Sequence, residues 1–63
     1  PFSQDDYLAV VRHWAREFGL SDALVAAHER DALNWALSRG SRSGRVAWQY
    51  ARDLAGRQIQ ESA

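Results

Sequence analysis

The chain has no cysteine and no lysine, and no apolar run longer than the five residues Ala23 to Ala27. Without cysteine there is no disulfide staple, no thiolate nucleophile and no cysteine-based zinc site. Runs this short cannot span a bilayer. No basic segment followed by an apolar stretch opens the chain, so no signal peptide is visible. The expectation is a cytoplasmic protein with no membrane partner. Sixty-three residues allow one domain at most. A chain of this size buries only about 60% of its unfolded surface. Its core supplies no more than about 3–5 kcal/mol. A self-contained catalytic pocket needs more chain than this, so the chain is not expected to be an enzyme by itself. It opens on Pro1 rather than an initiator methionine, which reads as a domain taken from something larger.

What is present is eight arginines against eight acids, a formal net charge of zero. The neutrality hides an asymmetry. Residues 1–37 carry six acids and three arginines, and residues 38–63 carry two acids (Asp53 and Glu61) and five arginines. The basic half is a candidate anion-binding surface. The plainer alternative is a solvated face that partners acids elsewhere.

Three helical segments are legible, giving an all-α bundle of three to four helices. In the first, Ser3 is placed as N-cap and Asp6 at N3 makes an imperfect capping box. Phe2 and Tyr7 have the spacing of a hydrophobic staple. Tyr7, Leu8, Val11, Trp14, Ala15 and Phe18 share one side of the helix. Gly19 ends it, with Leu20 as a hydrophobic lock. The second segment runs from a cap at Ser21 to Gly40. Its stripe of Leu24, Val25, His28, Ala32, Trp35 and Ala36 is widened by Leu33 and Leu37. Pattern alone leaves open whether it breaks near His28. The third runs from about Gly44 toward Ile59, capped by Ser43 or Ser41. Ala47, Tyr50, Ala51, Leu54 and Ala55 form its stripe, flanked by Val46 and Trp48, with Arg45, Gln49 and Arg52 opposite. Residues 57–63 read as a frayed tail.

The stretch with chemical content is Arg39-Gly40-Ser41-Arg42-Ser43-Gly44-Arg45. It sets three arginines, two hydroxyls and two glycines just before and at the start of a helix. Unpaired N–H groups and partial positive charge there favour phosphate or carboxylate. Arginine adds fixed bidentate donors, and glycine allows close backbone approach. An ordinary capped loop with exposed arginines is the alternative.

The run from Ala32 to Gly56, with that arginine–glycine core, resembles the C-terminal end of a domain-of-unknown-function family of bacterial proteins described as AAA+ ATPases. The opening Pro1-Phe2-Ser3-Gln4-Asp5-Asp6-Tyr7-Leu8 and the later Phe18-Gly19-Leu20 resemble the stretch that follows the ATPase core. The likeness covers about residues 1–57. It implies a detached helical lid, residues 1–63. In such lids a sensor-two arginine near the start of the third helix reaches the nucleotide phosphates. By motif position that is Arg45, with Arg42 as alternate and Ser43, Gly44 and Arg52 in support. Trp48 and Gln49 are expected at an interface with the core domain or a neighbouring subunit. ATP with Mg is implied for the full-length protein. The chain has no phosphate-binding loop of its own, so it is expected to bind neither alone.

Other residues have plainer roles. Trp14, Trp35 and Trp48 suit a core or interface better than a nucleic-acid stacking platform, and Trp48, at the edge of its stripe, is the one expected to stay partly exposed. His13 and Glu17 read as a surface i,i+4 pair. Arg12 and Arg16 are expected to face solvent. No acid–histidine spacing demands a metal. Nucleic acid stays open as a partner, because a basic third helix with Arg45, Gln49 and Arg52 also fits a helix-turn-helix module. A protein-interaction module is the remaining alternative, should Arg42 and Arg45 be paired inside the domain.

Overall fold

The structure, a computed structural model, describes residues 2–62, and the side chains of residues 2–60. Its described residues form four helices: α1 (Gln4–Glu17), α2 (Asp22–Ala27), α3 (Glu29–Ser38) and α4 (Gly44–Ser62). None is long and apolar enough to cross a membrane.

Local chemistry sets the boundaries. Ser3 Oγ accepts from the Asp6 N–H at 3.1 Å, and Asp6 Oδ2 accepts from the Ser3 N–H at 3.4 Å. Aspartate therefore completes the capping box that its shorter side chain made doubtful. Helix α1 ends at Gly19, whose φ of 85° suits a residue without Cβ. The Gly19 N–H donates to the Arg16 carbonyl and the Leu20 N–H to the Ala15 carbonyl, closing a Schellman turn. Ser21 then caps α2 through the Leu24 N–H at 3.1 Å.

The second predicted segment is two helices. His28, at φ −107° and ψ 16°, ends α2 and begins α3 without a side-chain cap. Its Nδ1 lies 2.9 Å from the Leu24 carbonyl, so its ring closes off α2. Helix α4 passes the expected end near Ile59 and continues to Ser62; the end of the expected tail, Ala63, lies outside the described residues.

The main helix pair is α1 with α4. Val11 and Ala15 of α1, and Ala47, Ala51 and Leu54 of α4, are completely buried. Alanine at three of these positions lets the two backbones approach closely. Tyr7 and Tyr50, also completely buried, carry polar tips across the core. The Tyr7 hydroxyl donates to the Ala32 carbonyl at 2.7 Å, and burial pushes its pKa up to about 12. Small α3 residues, Ala32 and Ala36, close the remaining side.

Trp48 is partly exposed as expected, and Trp14 and Trp35 are half-buried too. Two expectations are corrected. Arg16 faces solvent as expected and pairs within the chain, with Nε 2.8 Å from Asp22 Oδ1, but Arg12 is half-buried. His13 forms no ion pair with Glu17; it sits edge-on to Trp14, with ring centroids 5.1 Å apart.

Candidate functional site

The turn between α3 and α4 is built by the same rules as the first. Gly40 has φ 73°, its N–H donates to the Leu37 carbonyl, and the Ser41 N–H donates to the Ala36 carbonyl. These bonds satisfy the C-terminal carbonyls of α3. Of the two candidate serines, Ser43 caps α4: its Oγ accepts from the Val46 N–H at 3.2 Å. Its carbonyl accepts from the Ala47 N–H at 3.0 Å. One lone pair of Ser43 Oγ is thus occupied by the cap, and its O–H remains a donor.

The next two N–H groups, those of Gly44 and Arg45, have no partner within the described residues. A Cβ built at Gly44 would meet open space, and its φ is not in the left-handed region. Neither packing nor backbone conformation therefore demands glycine there. The guanidiniums of Arg42 and Arg45 are exposed and have no hydrogen-bond or ion-pair partner among the described residues. That removes support from the alternative in which both are paired inside the domain. The start of α4 offers two free backbone donors and one free arginine, with a second arginine in the turn before it. Such donors can hold an anion.

Arg52 does not join this group. It lies two helical turns beyond Arg45, about 10 Å along the axis. Its guanidinium sits 5.5 Å from the Trp48 ring centroid. Trp48 and Gln49, both half-buried, line a second feature, a shallow groove of about 570 Å³ between α3 and α4. Trp35 and Arg39 form its other wall, with the Arg39 guanidinium stacked 3.5 Å above the Trp35 ring. Trp35 Nε1 is buried without a hydrogen-bond partner.

A clamp below this groove joins α3 to α4. The Tyr50 hydroxyl donates to Asp31 Oδ2 at 2.8 Å, with the His28 carbonyl at 3.4 Å. Arg57 Nη1 donates to the same Asp31 oxygen at 2.9 Å, and Arg57 Nε and Nη2 reach Asp53 Oδ2 at 2.8 and 2.7 Å. The Tyr50 hydrogen bond, with help from Arg57, holds the Asp31 carboxyl below its ordinary pKa. Burial, then Asp31, raises that of Tyr50. Sequence reading missed this clamp because it assigned Arg57 to a frayed tail. The i,i+4 spacing of Asp53 and Arg57 was the available signal. The same spacing marks the missed stack of Arg39 on Trp35.

A family model described as "Protein of unknown function (DUF815)" matches residues 1–58. The chain belongs to this family. The match takes in the whole turn, the principal residues of the Trp35–Trp48 groove and the clamp. No curated protein and no solved structure matches the DUF815 chain.

Proposed function

We propose that this chain is the helical lid of an AAA+ ATPase, with Arg45 as the residue that senses nucleotide phosphates. The observation that carries the reading is the unpartnered Arg45 guanidinium on the first turn of α4, beside the free N–H groups of Gly44 and Arg45. All three donors suit phosphate oxygens. The resemblance of residues 32–56 to such lids supplies the nucleotide. ATP with Mg, bound on a core domain, would supply the phosphoryl charge that Arg45 answers. Arg42 is the alternate, and the Ser43 O–H is a further donor.

Arg45 does positional work. A phosphate that draws it in pulls the start of α4, and α4 is the long helix against which α1 packs. A small shift at one end therefore turns the four helices together. The groove of Trp35, Trp48 and Gln49 is the face proposed to meet the core domain or a neighbouring subunit. The five-residue connection 39–43 is long for a helix-turn-helix, which weighs against the DNA-binding alternative.

The test is Arg45→Ala in the chain joined to its core domain. ATP turnover or ATP-dependent assembly should fall by about a hundredfold to a thousandfold, the range for removing one preorganised donor to a charged transition state. Melting of the lid should be unchanged. Normal turnover and normal assembly in that variant would falsify the proposal.

A further inference from the structure

The apolar residues of α3 do not all face inward. Ala32 and Ala36 are 1% and 2% exposed, while the larger Leu37, on the same helix, is 77% exposed. Leu33, one turn before Leu37, is half-buried. The expectation that Leu37 widens the core stripe is thus overturned. The core takes the small side chains, and the outer face keeps the leucine. Leu33 and Leu37 line a groove of about 770 Å³ between α3 and the start of α1, together with Phe2.

The groove's polar lining has one sign. Arg30 and Arg42 line it, together with the neutral Gln4, Asn34 and Ser41, and no acidic residue does. Both guanidiniums lack a hydrogen-bond or ion-pair partner among the described residues. In contrast, Arg16 and Arg57, elsewhere on the molecule, have both found carboxylates. Two leucines one helical turn apart, about 6 Å along the axis, match the anchor spacing of a partner helix. The two unpaired cations call for carboxylates on that partner.

We propose that this groove docks an acidic amphipathic helix of a partner protein, seating apolar side chains over Leu33 and Leu37 and carboxylates against Arg30 and Arg42. The inference needs neither Arg45 nor a phosphate, and shares only Arg42 with the nucleotide-lid reading. Electrostatic complementarity would set which partner binds, and the leucines would supply most of the affinity.

The test uses the 63-residue chain. The probe is a synthetic amphipathic peptide of about 14 residues, four helical turns, with leucine on one face and glutamate on its flanks. Two counterparts carry glutamine or lysine in place of glutamate. The glutamate peptide should shift the methyl resonances of Leu33 and Leu37 on binding, and the lysine peptide should not. Leu37→Asp should abolish binding; Leu37→Gln, gentler on the helix, should weaken it clearly. Reversing both Arg30 and Arg42 to glutamate should cost about tenfold with the glutamate peptide and make the lysine peptide the better ligand. The proposal is overturned if the three peptides bind equally, or if no shift at Leu33 and Leu37 appears at millimolar peptide. It is also overturned if sedimentation shows a second copy of the chain burying Leu37, or if duplex DNA rather than the acidic peptide binds at Arg30 and Arg42.

Discussion

Two turns of this molecule have the same construction and opposite outcomes. Each ends a helix on a glycine of positive φ, closes with the same pair of backbone bonds, and passes to a serine that caps the next helix. The first, Gly19 to Ser21, holds Leu20 half-buried against the core, and the nearby Arg16 is neutralised by Asp22. The second, Gly40 to Ser43, puts Ser41 where the first has Leu20. Ser41 is exposed, and Arg42 and Arg45 have no carboxylate. Backbone geometry therefore does not distinguish a closed turn from an open one. The residue after the glycine and the presence of a nearby acid do. The open turn is held from a distance, by the clamp of Tyr50, Asp31, Arg57 and Asp53 between the helices it joins.

The clamp should give the largest effect. Tyr50→Phe removes a buried donor from a carboxylate, a loss of about 1.5–3 kcal/mol for a hydrogen bond to a charged group. The closed turn has no clamp to lose, so exchange protection should drop at the α3–α4 end before it drops around Gly19. Acid should produce a related loss. The carboxyl of Asp31 is held below its ordinary pKa, with the Tyr50 hydrogen bond as the leading cause. The unfolded chain therefore takes up this proton at the higher pH. The stability from this group is complete above the unfolded value of about 3.9 and is lost as pH falls through the lower folded value. In Tyr50→Phe the Asp31 pKa moves back toward its ordinary value. The variant should melt lower than the parent at pH 7, and the gap should narrow below pH 4. A gap that stays constant down to pH 2 would mean that the hydroxyl and the carboxylate are not coupled.

The glycines give the next effect and test whether the turns are equivalent. Nothing lies within 4 Å of a Cβ built at Gly19 or Gly40, so alanine meets no clash at either. The cost is conformational, about 1–2 kcal/mol for an L-residue held in the left-handed region. For a domain of this size that is roughly 4–16 °C in Tm. The two losses should be equal, because the turns are equal. Gly56 lies within α4, has open space and no positive φ. Gly56→Ala should stabilise by about 0.5–1 kcal/mol. Thermal melts of the three variants decide it. A much larger loss at Gly19 would show that Leu20 and the Arg16–Asp22 pair depend on the turn's exact shape.

Much of this comparison is present in the sequence. Ser3, Gly19, Ser21, Gly40 and Ser43 punctuate the chain, and cap chemistry is local enough to read. The stripes of α1 and α4 are equally local, and most of their members are buried; the exposed exception is Phe18, expected on the α1 stripe, which sits at the helix end and is 39% exposed. The break at His28 was not decidable, because α2 and α3 continue one apolar stripe and His28 supplies no N-cap side chain. The clamp was hidden for another reason: Arg57 and Asp31 are 26 residues apart, and no periodicity reports a contact of that range. Leu37 was misplaced because a stripe wide enough to hold both Ala36 and Leu37 must turn one of them outward. The core, already filled by Tyr7, Tyr50 and Leu54, took the smaller. As for the candidate site, the sequence marks the arginines of the second turn but not their freedom. That freedom depends on where the acids of the first half fold, and they fold elsewhere.

The smallest effect separates the turns most cleanly. Arg16→Ala breaks an exposed ion pair at the closed turn, where Asp22 holds Arg16 in place. Exposed pairs contribute little and are screened by salt. The variant should melt slightly below the parent at low ionic strength and together with it at 1 M salt. Arg45→Ala breaks no pair, so it should melt with the parent at every salt concentration. Measured against an anion the order reverses. Adding inorganic pyrophosphate to the chain should perturb the amide resonances of Gly44 and Arg45, and this perturbation should shrink in Arg45→Ala and persist in Arg16→Ala. Equal perturbation at the Ser21 and Ser43 ends would mean that any capped helix start in this molecule attracts anions. The missing acid, rather than the arginine, would then cease to be what sets the second turn apart.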